Sequence, residues 1–205
     1  MGPAPVEDVS GRGPLRAALI SGGAVFLVSL VSIFFLDIQA EKNQTQTIRD
    51  DLSRLARAAA GLVDGEIHKT LVRPEQMRTS EYRQALAPLV AFHRNVPEIA
   101  YLYTLVERNG KFFFVLDTAT AADELGFSRD MEASALMDSY QSESPEEDAA
   151  EMEALRRGEV YVSGKPFSDD YGTFLSGVAP IRDASGNVVG IVGVDLNVRE
   201  YLERL

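Results

Sequence analysis

Thr173-Phe174-Leu175-Ser176-Gly177-Val178-Ala179-Pro180-Ile181, then Asp183-Ala184-Ser185-Gly186-Asn187, then Val188-Val189-Gly190-Ile191-Val192-Gly193-Val194-Asp195-Leu196 is the stretch that decides the fold. Two apolar, β-branched runs joined by a few residues with turn chemistry predict a β-hairpin. The same design occurs upstream. After Val96-Pro97, the residues Ile99, Tyr101, Tyr103 and Leu105 share one face of an extended run, Asn109-Gly110 supplies a tight turn, and Lys111-Phe112-Phe113-Phe114-Val115-Leu116 returns. Between the hairpins lie helix-like stretches from Ala119 to Gly158 and a short β-prone piece, Val160-Tyr161-Val162. Five strands in two hairpins with a mixed crossover predict an α+β fold built on an antiparallel sheet.

Outward from the sheet, residues 37–72 have helical character and no Pro, a stalk or leading helix that Pro74 is expected to end. Ile48, Leu52, Leu55, Ala59 and Leu62 alternate four and three apart, which suits either a coiled-coil seam between two copies or an amphipathic helix lying on its own domain. A second helix is expected from Ser80, as N-cap with Gln84 in the capping position, to Arg94. Farther out, the run AALISGGAVFLVSLVSIFFL from Ala17 to Leu36 carries no charge, long enough as a helix to cross a bilayer core of about 30 Å. Ile38-Gln39-Ala40 is a poor signal-cleavage site, so the run reads as an uncleaved anchor. Arg12 and Arg16 precede it and Asp37 and Glu41 follow, which places Met1 in the cytoplasm and everything after Leu36 outside the inner membrane, in the periplasm or beyond the cell.

The 205 residues hold 20 Lys+Arg and 31 Asp+Glu, for a net charge of −11. Residues 1–16 contain two Arg, one Asp and one Glu and the span none, so the exported part carries the whole excess. Such a surface repels phosphate backbones, which excludes nucleic acid as a partner. With no Cys and only His68 and His93, thiolate chemistry and the usual transition-metal sites drop out, and no cofactor or metal is expected. Both histidines read as surface or partly buried structural residues. No Gly-x-Ser-x-Gly, His-Glu-x-x-His or phosphate loop is present, so no catalytic residue is assigned.

The phrase Pro166-Phe167-Ser168-Asp169-Asp170-Tyr171-Gly172-Thr173 through Asp183, with Gly186, Gly190-Ile191-Val192-Gly193-Val194-Asp195-Leu196, Tyr101-Leu102-Tyr103-Thr104-Leu105 and Ala154-Leu155-Arg156-Arg157-Gly158, resembles the single Cache, or PAS-like extracytoplasmic, sensor domains of bacterial sensor histidine kinases, diguanylate cyclases and chemoreceptors. The resemblance covers about residues 41–205. It implies a PAS-like five-stranded sheet over residues 73–197 enclosing a small-molecule pocket, the leading helix as transmitter, residues 198–205 as the start of a signalling helix, and a kinase or cyclase output on a longer chain. By position, Phe167 and Asp169 match the aromatic-x-acid pair of amino-acid-binding members, and Asp195 matches the acid ending their last strand. Those members also carry an Arg and a Trp-Tyr pair, whereas this chain has no Trp.

Tyr101 and Tyr103 share a strand face and are candidate pocket residues that add hydroxyls to an apolar wall, or else core aromatics. Asp117 ends a strand of aromatics and is either a ligand or an Asx turn; Asp169 is either a binding or a turn residue; Asp195 is either a ligand or a cap for the helix near Val198. The stretch 117–159 has thirteen acids and three Arg, an oxygen-rich surface that suits divalent cations or simply solvent. Three functions follow: a small-molecule sensor, homodimeric through its leading helix and anchored in the membrane; a ligand-free dimerisation or docking module; and a cation sensor using 117–159.

Overall fold

The computed structural model describes residues 12–127, 131–140, 145–169 and 172–203. Helix α1 (Arg12–Ala60) belongs to two compact units, one up to Thr47 and one from Ile48 onward. In the first unit, Phe26, Leu27, Leu30, Val31, Ile33, Phe34, Phe35 and Leu36 are all exposed. Among the described residues no helix is long and apolar enough to cross a membrane, and the side chains of residues 17–21, 24, 25 and 28 of the uncharged run lie outside those described.

Helix α1 ends at Ala60, twelve residues before the expected end at Val72, because Gly61 interrupts it and Asp64 starts a new element. The Asp64 carboxylate accepts from the backbone N–H groups of Glu66 and Ile67 and caps α2 (Gly65–His68). A 3-10 turn (Pro74–Arg78) leads to α3 (Ser80–Asn95), whose N-cap is Thr79 rather than Ser80: the Thr79 hydroxyl accepts from the Tyr82 N–H.

The sheet comprises β1 (Ile99–Arg108), β2 (Lys111–Asp117), β3 (Tyr161–Val162), β4 (Phe167–Asp169), β5 (Gly172–Arg182) and β6 (Val188–Asn197), with α4 (Pro145–Arg157) in the crossover and α5 (Val198–Leu202) at the end. All pairs are antiparallel, in the order β2-β1-β6-β5-β3, and β4 also pairs with β5. Six strands therefore replace the five expected. The sixth comes from splitting one edge: Val162 stands opposite Gly177 and Phe167 opposite Phe174, so the edge carries two more residues than its partner between those points. Pro166, which has no N–H to donate, closes the interruption. The Asn109-Gly110 turn has positive φ at both residues, 55° and 77°, as a type I′ hairpin requires.

Alternation assigns the two faces. Leu102 and Val106 of β1, Leu175, Ala179 and Ile181 of β5, and Val192, Val194 and Leu196 of β6 form the main core with Ile48, Leu52, Ala56 and Ala59 of α1 and Leu86 and Leu89 of α3. Of the two readings of the seam, the helix lying on its own domain accounts for most of it, and Leu62 stays exposed. A Cβ on Gly177 would lie 2.7 Å from the Leu52 Cγ, so the missing side chain is what lets α1 approach β5. Tyr103, Leu105, Phe112, Val178 and Ile191 form a second cluster on the opposite face, under Met152 and Leu155 of α4 and Tyr140.

Both histidines are fully buried, not at the surface. The His93 Nε2 donates to the Ile99 carbonyl at 3.0 Å, and its Nδ1 meets the Thr118 hydroxyl at 2.8 Å. The His68 Nε2 meets the Thr104 hydroxyl at 3.0 Å, its Nδ1 has no partner, and burial lowers its pKa to about 4, helped by the Arg108 charge.

Candidate functional site

The sheet face opposite α1, part of which α4 covers, carries Tyr101, Tyr103 and Asp195. Cross-strand register sets Tyr101 of β1 opposite Asp195 of β6, Asp195 opposite Ser176 of β5, and Tyr103 opposite Gly193. The Tyr103 ring occupies the room a side chain at 193 would need: a Cβ there would come within 2.3 Å of the ring. Phe174 packs edge-on against Tyr101 with centroids 5.9 Å apart, and Phe167 of β4 stacks on Phe174 at 5.6 Å. Tyr101, Phe167 and Asp195 thereby meet on one patch. The side chain of Asp169 lies outside the described residues.

Asp195 is buried, and its Oδ1 accepts a 2.6 Å hydrogen bond from the Ser176 hydroxyl. It does not cap the following helix: the Asn197 side chain does that, accepting from Arg199 and Glu200 N–H groups. Asp117 reaches the neighbourhood through a bulge. Tyr103 pairs with Asp117 but Leu105 with Phe114, so β2 carries one extra residue opposite Thr104, and the Thr104 hydroxyl fills the gap by accepting from the Leu116 N–H. The Asp117 oxygens accept from the Ala119 and Ser134 N–H groups at 2.9 and 2.8 Å, capping a 3-10 turn (Thr118–Glu124) and holding the strap 131–137. Burial raises its pKa to about 6 against those two hydrogen bonds.

Ser176 and Tyr140 were not singled out in the sequence, and Asp148 and Glu151 entered only as members of the acidic stretch 117–159. Ser176 is a polar residue in an apolar strand, and that was its only signal. Tyr140 packs on Tyr103, Phe112 and Phe114 with centroids 5.4 to 6.4 Å apart across this ring cluster. Glu151 falls among Met152, Ala154 and Leu155, the apolar stripe of an otherwise acidic helix, and is buried with them; Asp148, one turn earlier, has one buried oxygen without a hydrogen bond. The Tyr103 and Tyr140 phenols are pushed upward, chiefly by burial and then by the charges of Asp195 and Glu151, so both stay protonated donors at any physiological pH. Hydroxyls and carboxylates among aromatic rings can orient a small polar molecule, and the carboxylates favour one with a positive end. Among the described residues, no group of three His, Cys, Asp or Glu is disposed to hold a metal ion.

No family model matches the chain, and no curated protein matches it. Among solved structures, it is similar to an extracellular ligand binding receptor from Desulfohalobium retbaense, with 13% identity, 80% of this chain and 26% of that one covered, and a TM-score of 0.48. It is also similar to the ligand-binding domain of the Pseudomonas aeruginosa amino acid chemoreceptor PctC in complex with GABA, at 18% identity, 80% and 62% coverage and a TM-score of 0.41. A third is the periplasmic sensory domain of the Campylobacter jejuni chemoreceptor Tlp1, at 15% identity, 80% and 59% coverage and a TM-score of 0.41. The chain spans less than two thirds of the length of each of these structures.

Proposed function

We propose that the chain is the extracytoplasmic sensor region of a membrane signalling protein, a single Cache-type domain that binds a small molecule on the sheet face bearing Tyr101, Tyr103, Asp117, Phe167, Asp169 and Asp195. The observation that carries the reading is the convergence of Tyr101, Phe167 and the buried Asp195 on one patch, beside the face that α4 covers. A site built for chemistry would need a nucleophile or a proton-transfer pair, and the arrangement instead offers orienting groups in an apolar wall. Residues 17–36 form the anchor in the inner membrane, supported by the uncharged sequence and by eight exposed apolar side chains between Phe26 and Leu36. The output is a histidine kinase or diguanylate cyclase on the cytoplasmic side. Homodimerisation through α1 uses a face other than that of Ile48, Leu52, Ala56 and Ala59, which are committed to their own sheet.

The test is a circular-dichroism melting screen of the full chain in detergent micelles against amines, amino acids, organic acids, purines and divalent cations, repeated with Asp195→Ala. A ligand at about a hundred times its dissociation constant adds about 2.7 kcal/mol. A hit that disappears with Asp195→Ala is expected; hits indifferent to Asp195 and to Tyr101→Ala refute the site. One observation favours a second reading: Tyr103, Phe112, Phe114 and Tyr140 fill their half of the face with rings, as a ligand-free docking module would. A screen without any hit supports that module.

A further inference from the structure

Asp195 and helix α1 are joined by a continuous hydrogen-bonded path. Ser176 donates its hydroxyl to the Asp195 Oδ1 at 2.6 Å. The Ser176 N–H donates to the Ser163 hydroxyl at 3.1 Å, and the Ser163 N–H returns a bond to the Ser176 carbonyl at 2.8 Å. Ser163 then offers its own carbonyl to the Arg49 guanidinium of α1, 2.6 Å from Nη1, while Nη2 takes the Val162 carbonyl at 3.2 Å. Ser163, Ser176 and Asp195 are all buried, so the bonds among these three lie out of competition with water. Ser163 stands where the edge strand begins its two-residue excess, which frees a carbonyl to face the helix instead of a neighbouring strand.

A second arm leaves Asp195 along the chain. Two residues on, Asn197 caps α5, and the Tyr201 hydroxyl of α5 donates to Asp51 of α1, which also pairs with Arg54. Residues 49–54 of α1 are therefore gripped by two arms, one leaving the Asp195 carboxylate through Ser176 and one leaving its backbone through α5.

We infer that Ser176, Ser163 and Arg49 are a read-out relay that couples the state of Asp195 to residues 49–54 of α1. Ligand contact at Asp195 competes with Ser176 for the Oδ1 lone pairs, the Ser163–Ser176 pair shifts, and the grip of Arg49 on the edge strand changes. Coupling of this kind is reciprocal, so loosening Arg49 also loosens Asp195. Ser176, Ser163 and Arg49 are positioning residues. The inference deepens the sensor reading by naming how that site is read, and it rests on that reading for its biological use.

Hydrogen exchange by mass spectrometry on the full chain in micelles, with no ligand added, tests the relay. Ser176→Ala should speed exchange of the amides of residues 49–54 by at least about twofold over any change at Leu86–Val90 of α3, the lower end of coupling within one hydrogen-bond network. Ser176→Thr, which keeps the hydroxyl, should restore protection. Arg49→Gln, a change on a half-buried helix surface, should act backwards and speed exchange around Ser176 and Asp195, and combined with Ser176→Ala should add nothing further at 49–54. Tyr201→Phe, on the other arm, should multiply with Ser176→Ala. Exchange at 49–54 that is indifferent to Ser176→Ala, or Arg49→Gln and Ser176→Ala effects that multiply as independent changes do, overturns the relay. Because no ligand takes part, a failed ligand screen leaves this result standing, and a failed relay leaves ligand binding standing.

Discussion

Exchanging a side chain between α1 and the sheet is the sharpest test of how the leading helix is seated. Leu52 is fully buried over Gly177, and a Cβ at 177 would meet its Cγ at 2.7 Å and its two Cδ atoms at 3.3 and 3.4 Å. Leu52→Ala should cost about 3 kcal/mol, the transfer term of three carbons plus the cavity they leave. Gly177→Ala should cost about 2 kcal/mol, because the new methyl overpacks a fixed helix. In the double variant the methyl enters the space that Leu52 vacated, and the chain entropy saved by replacing glycine adds about 0.5 kcal/mol in its favour. The double variant should then lie near the Leu52→Ala single, with a coupling of about 2 kcal/mol. Urea titration of the full chain in micelles, followed by circular dichroism, reads all four corners of the cycle. Additivity within about 0.5 kcal/mol refutes the seating of α1 on Gly177.

Acid should separate two opposing groups. His68 is held neutral, its pKa lowered from 6.5 to about 4, so its contribution is present above pH 6.5 and is lost as pH falls through 4; Asp117, raised from 3.8 to about 6, favours the fold below 3.8 and loses that advantage as pH rises through 6. Each is worth about 3 kcal/mol across its window and the two nearly cancel, so melting of His68→Gln should rise from pH 6.5 to 4 while that of Asp117→Asn falls. Wild-type pH slopes in both variants would contradict the burial of these groups. Gly193→Ala should push the Tyr103 ring aside, costing about 1–3 kcal/mol and changing the near-ultraviolet dichroism of the tyrosines, an effect that should shrink in a Tyr103→Ala background. Asp64→Ala should cost about 1 kcal/mol by stripping the α2 cap, read as a lower melting temperature, whereas an unchanged one would deny the cap its role.

Much of the sheet was legible in the sequence because its signals are local. Period-two alternation, Asn109-Gly110 and the Asp183–Asn187 turn need no distant partner to be read, and they specified two hairpins and an antiparallel α+β fold. The 3.5-residue spacing of α1 likewise marked an apolar stripe, but a stripe does not say what covers it; the bare backbone at Gly177 decided that its own sheet does. The end of α1 at Ala60 was missed because Gly61 inside a helical pattern is a weak stop, and the cap at Asp64 became decisive only with α2 formed.

Tyr101, Tyr103, Phe167 and Asp195 could be nominated from residue type, spacing and resemblance, but their convergence could not. Register did that, and register is set by long-range pairing. One extra residue in β2 opposite Thr104 sets Asp117 rather than Leu116 across from Tyr103, and a two-residue excess on the split edge turns the Ser163 carbonyl toward Arg49. The sequence by itself determined which segments would be strands and helices, since those preferences are written in neighbours a few residues apart. Only the tertiary structure decided that Ser176, Tyr140 and Glu151 join the candidate site and that Arg49 reaches its edge, because a polar side chain acquires its meaning from what burial places beside it.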